Sequence, residues 1–116
     1  MIEFYDRDGR ACAFCDDGRT LYAWSGRPAA VIHDDVVFSP TGRFIGWFED
    51  GWICDAGGAR VLFEFDAVGG PEKPPRGPRT EKGQRGPRPP RGTREVAPAR
   101  PSFSSSWSDR AFAQLA

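Results

Sequence analysis

Four sets of residues could do chemistry. Two cysteines stand at CxxC spacing, Cys12-Ala13-Phe14-Cys15, and one histidine, His33, has no sequence partner. Gly-Arg pairs recur at Gly9-Arg10, Gly26-Arg27 and Gly42-Arg43, and eight basic residues fall at every third position: Lys73, Arg76, Arg79, Lys82, Arg85, Arg88, Arg91 and Arg94. Thiolates at that spacing suit a soft metal or disulfide exchange. Guanidinium forks donate well to phosphate or carboxylate, so Arg10, Arg27 and Arg43 are candidates for an anion-binding rim. A basic stripe would neutralise phosphates of a polyanion, with steep salt dependence and no base readout. His33 lacks an evident nucleophile to activate, and no P-loop, dinucleotide fingerprint or metal-ligand spacing occurs. The expectation is therefore a protein that is not an enzyme, with no cofactor and no metal.

The elements that must position these groups are set by a repeat. Gly9, Gly26, Gly42 and Gly58 lie 17, 16 and 16 residues apart, and the flanking columns keep phase. First strands read Phe4-Tyr5-Asp6, Leu21-Tyr22-Ala23, Val37-Phe38-Ser39 and Ile53-Cys54-Asp55, with two adjacent apolar columns. Second strands read Cys12-Ala13-Phe14, Ala29-Ala30-Val31, Ile45-Gly46-Trp47 and Val61-Leu62-Phe63, apolar at the outer columns and mostly small between. Short alternating segments rich in aromatic and β-branched residues, bounded by Gly and Asp, mark hairpins. Glycine at each tip supplies the positive φ of a tight turn.

A single hairpin cannot bury its apolar side, but four equal ones can close on themselves. The spacing predicts an all-β fold: a shallow, pseudo-four-fold, eight-stranded barrel over residues 1–69, with the strand at Phe4 paired to the strand at Phe63. Closure puts Arg10, Arg27 and Arg43 on one rim, with Ala59 at the fourth place. The other rim collects Asp16, Asp17, Asp34, Asp35, Glu49, Asp50 and Asp66. Cys12 shares its column with Ala29, Ile45 and Val61, and Cys15 with Ile32, Phe48 and Glu64. Both thiols thus read as structural, and in an unbroken strand residues three apart face opposite ways. An odd total of three cysteines also speaks against a disulfide framework.

The hairpins and x-Gly-Arg tips, in Phe4-Tyr5-Asp6-Arg7-Asp8-Gly9-Arg10, Trp24-Ser25-Gly26-Arg27-Pro28 and Gly42-Arg43-Phe44-Ile45-Gly46-Trp47-Phe48, resemble the four-fold β-flower family of small bacterial proteins. The resemblance covers residues 2 to 66 and implies hairpin petals around an apolar centre. It implies no activity and no catalytic residues. A looser similarity to lipid-binding barrels of the tubby type implies binding at anionic membranes.

Charge divides the chain. Residues 1–70 hold six Arg and no Lys against twelve Asp and Glu, a net of −6, whereas residues 71–101 hold nine basic residues against three Glu, a net of +6. From residue 70 to 101 Pro, Gly and Arg dominate, and an extended or disordered arm is expected. In polyproline II, with three residues per turn, the eight cations form one stripe. That stripe would lie along the acidic rim or wrap the barrel, or else contact nucleic acid or an anionic membrane. Residues 102–116 form a Ser-rich segment and a short amphipathic helix: Ser106 and Asp109 approximate a capping box, and Trp107, Ala111 and Leu115 fall at helical spacing. Phe103, Trp107 and Phe112 dock on the barrel or form a partner motif. No apolar run reaches the roughly 20 residues of a membrane span, and the N-terminus lacks a leader pattern, so a cytoplasmic protein is expected. The functional expectation is a binding or scaffold module, an acidic barrel with a basic tether. The alternatives are a carrier of a small apolar ligand or lipid, or a small enzyme, using the barrel mouth.

Overall fold

The computed structural model describes residues 1–89 and 92–115. Eight antiparallel strands follow in chain order: β1 (Ile2–Tyr5), β2 (Ala11–Cys15), β3 (Thr20–Ala23), β4 (Pro28–His33), β5 (Val36–Phe38), β6 (Phe44–Glu49), β7 (Trp52–Cys54) and β8 (Arg60–Glu64). They close into a barrel, with Phe4 opposite Glu64 and Tyr5 opposite Phe63 as the seam. Closure leaves no sheet edge, which is how strands of three to six residues form a stable wall.

Every hairpin carries the same irregularity. The register slips by one residue between Phe4 and Tyr5, Leu21 and Tyr22, Val37 and Phe38, and Ile53 and Cys54. The extra residues left unpaired on the second strands are Cys12, Ala29, Ile45 and Val61. A bulge of this kind bends the strand and re-aims side chains. It corrects the expected alternation: Cys12 and Cys15 pack against the same inner cluster instead of facing opposite ways.

Register also sorts the two faces, because partners across a ladder share a face. Phe4 and Ala13, Leu21 and Ala30, Val37 and Gly46, and Ile53 and Leu62 point inward, and all but Gly46 belong to one buried cluster. Gly46 has no room for a side chain, since a Cβ there would overlap the Cys54 carbonyl. The outward set is just as apolar. Tyr5, Phe14, Tyr22, Phe38, Trp47, Trp52 and Phe63 are all buried despite facing away from the axis, so something outside the barrel covers them.

The cover is the arm, whose described residues run around the barrel with no regular secondary structure, and barrel and arm together measure 37 × 35 × 21 Å. Beyond it, the expected C-terminal helix is one 3-10 turn, Phe112–Gln114, shorter than the helical spacing predicted. No capping box forms at Ser106 and Asp109. Trp107 bridges in parallel to Arg60 instead, and the Ser108 hydroxyl donates to Asp55 Oδ2 (2.6 Å) while accepting from the Arg110 N–H (3.0 Å). Pairing with β8 thus holds the segment extended where a helix would begin. Among the described residues no helix is long and apolar enough to cross a membrane.

Candidate functional site

Two places on this scaffold hold most of the chemistry: the groove under the arm, and the barrel mouth.

At the groove, four arm residues donate a backbone N–H to the four tip glycines. Gly77 reaches the Gly9 carbonyl (2.9 Å), Gly86 that of Gly26 (2.7 Å), Glu95 that of Gly42 (2.8 Å) and Ser104 that of Gly58 (3.1 Å). The donors are nine residues apart, which in polyproline II would be three turns and roughly 28 Å of chain. Two residues before each donor, the carbonyls of Pro75, Gln84, Thr93 and Ser102 press on the same glycines, so that a Cβ at any tip would come closer than 3.0 Å to one of them. The tip glycines therefore have two duties. Each adopts positive φ (78, 96, 96 and 93°) and each lets a second backbone cross it.

Cationic side chains of the arm cover the outer rings. Lys82 lies over Phe14 and Trp24, and Arg100 over Trp47 (each 5.5 Å to the ring centre). Arg76 covers Tyr5 (5.6 Å) and Phe65 (4.4 Å), and Arg94 covers Phe38 (5.7 Å). Lys73 donates to the Phe65 and Ala67 carbonyls (3.2 and 2.7 Å). Carboxylates take the rest: Arg79 and Lys82 share Glu3, Arg85 pairs with Asp16 (2.6 Å), Arg88 with Asp17 (3.2 Å) and Arg100 with Glu49 (2.6 Å). Burial beneath the arm pushes the Glu3 carboxyl up, but Lys82 and Arg79 outweigh it and hold it below its ordinary value. Asp17 is likewise lowered, as the N–H groups of Thr20 and Arg19 and the charge of Arg88 overcome burial. All seven described members of the stripe thus meet the body; Arg91 lies outside the described residues.

The fourth quadrant reverses the chemistry. Arg60, on β8, is buried and lies 5.6 Å from the ring of Phe103, 5.4 Å from that of Trp52, with Nε donating to the Ser104 carbonyl (2.9 Å). Here the barrel supplies the cation and the arm the ring. Trp107 packs on Trp52 and Phe63, Phe103 on Trp47, and Phe112 against the inner cluster. Arg60 is not among the residues that the repeat columns single out, though its place beside Ala59, in the one repeat whose tip lacks Arg, is a signal for it.

The tip arginines are not gathered in this way. Arg10, Arg27 and Arg43 are exposed at three separate tips, and Arg10 pairs loosely with Asp8 (3.9 Å). His33 stands at the opposite rim beside Asp34 (3.3 Å). The thiols are protonated packing groups: burial and then Asp6 push Cys12 up to about 12, and burial raises Cys54 to about 11 and Cys15 above its ordinary value. Among the described residues no cluster of His, Cys, Asp and Glu could hold a metal.

The mouth lies at the turn rim, where a cavity of about 510 Å³ is lined by Phe4, Cys15, Ile32 and Phe48 with Arg19 and Arg94. A second cavity, of about 850 Å³, sits beside Val31 under Pro87 and Pro89. Val31 occupies the column that elsewhere carries Phe14, Trp47 and Phe63, so the arm has no ring to rest on there.

A short up-and-down barrel of four bulged hairpins, belted by its own C-terminal arm, defines a small symmetric β-barrel class. The family described as the 4-fold beta flower protein matches residues 2–116, and the chain belongs to it. That match takes in the arm and the C-terminal turn as well as the barrel, beyond the residues 2 to 66 on which the resemblance was read. No curated protein and no solved structure matches.

Proposed function

We propose that the protein is a non-enzymatic binding module in which the basic arm serves the body itself, as a belt that screens the acidic turns and covers the outer aromatic face. The observation that carries this reading is that all seven described stripe cations face partners on the barrel. In polyproline II that leaves the outward faces to neutral and acidic residues, so a polyanion would have to displace the belt to reach the stripe. Titrating the full chain with RNA and with anionic vesicles at physiological salt tests it. Binding no tighter than that of a variant with Arg79, Arg85 and Arg88 changed to Gln is expected; salt-steep binding lost in that variant would replace the belt with a polyanion site.

A second reading, a carrier of small apolar molecules, is supported by the cavity at the turn rim. Native mass spectrometry of the purified full chain should then show added mass that denaturation releases. A spectrum without it would count against the carrier.

A further inference from the structure

The two ends of the barrel differ. At the tip end the C-terminal turn acts as a stopper: Ser108 is tied to Asp55 and its carbonyl accepts from Arg7, both tip residues, and Leu115 is buried in the inner cluster. Among the described residues nothing comparable fills the turn end, where the cavity of about 510 Å³ reaches inward to Phe4. Its volume falls in the range of small-molecule sites. The walls from Phe4, Ile32 and Phe48 are apolar, and the Cys15 thiol beside them is protonated. Two cations stand at the lip. Arg19 and Arg94 line both this cavity and its larger neighbour, and among the described residues neither has a carboxylate within ion-pair distance.

We infer that the mouth binds an amphipathic monocarboxylate, with the alkyl chain between Phe4, Ile32 and Phe48 and the carboxylate on Arg19 and Arg94. An apolar slot alone would take any hydrocarbon, but guanidinium groups among its lining, Arg19 and, over Phe38, Arg94, reward a planar anionic head. Asp34 and Asp35, exposed at the same lip, repel a second negative charge and so favour a carboxylate over a dianionic phosphate. The inference rests on reading the protein as a binding module, and names what the module holds.

Calorimetric titration of the full chain at neutral pH with hexanoate, octanoate, decanoate and octanol tests it. The acids should bind with a one-to-one ratio, tightening roughly fourfold per methylene, and octanol should bind at least tenfold more weakly than octanoate. Arg19→Gln should bring octanoate close to octanol, and Ile32→Trp, which fills the slot, should abolish binding while the thermal transition is kept. Failure of all three acids to bind, equal binding of octanol and octanoate, or unchanged binding by Ile32→Trp would each overturn the mouth site. Protease resistance of residues 70–115 in the same samples separates the two readings. An empty mouth in a chain whose arm stays protected refutes the ligand and leaves the belt; a labile arm refutes the belt.

Discussion

Barrel and belt share one symmetry and achieve it by opposite means. The barrel repeats every 16 or 17 residues, and each unit is held by ladder hydrogen bonds and a buried interior. The belt repeats every nine, its described residues have no regular secondary structure, and it is held station by station through one or more backbone hydrogen bonds, one carbonyl contact and a few cation–ring or ion-pair contacts. The barrel residues are close to interchangeable within columns, because burial asks only for apolar shape. The belt stations differ freely, Gly77, Gly86, Glu95 and Ser104, because the bond at each is made by backbone. What the two repeats must share is the tip glycine, the one residue that serves both.

The largest expected effect comes from breaking that shared residue. In Gly26→Ala the new Cβ meets the Gln84 carbonyl at a φ of 96°, so overlap and left-handed strain add, and unfolding free energy should fall by about 3 kcal/mol in a denaturant titration. Gly18 is the control. Its φ is 75° but nothing lies within 4 Å of its Cβ direction, so Gly18→Ala should cost only about 1 kcal/mol. Equal losses would mean that glycine is needed for the turn alone and that the belt crossing contributes nothing. The reciprocal change on the arm, Gly83→Ala, meets the Ser25 carbonyl without positive φ. It should leave the barrel intact and speed proteolysis between residues 77 and 95.

Next comes the inverted quadrant. Arg60→Met removes a charged donor from the Ser104 carbonyl and a cation from two rings, and about 2–3 kcal/mol of stability should go with it. Tryptophan emission should shift to the red as Trp107 and Trp52 part. Arg60→Lys keeps the charge but not the planar fork, and should recover less than half. If Met were tolerated without loss, the fourth quadrant would be held by Phe103 and Trp107 packing alone.

These contrasts explain what the sequence made legible. The barrel could be read because its glycines and apolar columns are spaced by turn chemistry, which is local. The stripe could be read too, as period three. Period nine could not, since its donors are backbone groups of three residue types. One signal was nonetheless present: first strands carry two adjacent apolar columns, Phe4 with Tyr5 and Val37 with Phe38 among them, and a barrel with a wet outside needs only one. The second column required a cover. Alternation alone sets Cys12 and Cys15 on opposite faces, because a bulge is a tertiary choice that alternation does not reveal. The mouth cations, Arg19 and Arg94, come from a turn and from the arm, and only the wrapped chain brings them together.

The smallest effect tests whether belt charges matter beside belt backbone. Glu3→Gln loses two ion pairs, with Arg79 and Lys82, and pairs of this kind contribute about 0.2–1 kcal/mol each at most. The sign with pH follows from the depressed carboxyls of Glu3 and Asp17. Their stabilisation is present above the unfolded-state values near 4 and is lost as pH falls through the lower folded values. Glu64 runs the other way, because burial and then Asp66 raise it against the pull of Lys73; its contribution is present in acid and lost as pH rises through the raised value. Denaturant midpoints for the native chain and Glu3→Gln should therefore differ at pH 7 and converge as pH falls through the lowered folded value of Glu3. A difference that persists in acid would assign the effect to packing and hydrogen bonding of the side chain at position 3 rather than to charge. No difference at either pH would leave the backbone bonds and the Lys82 ring contacts to hold the belt at that station.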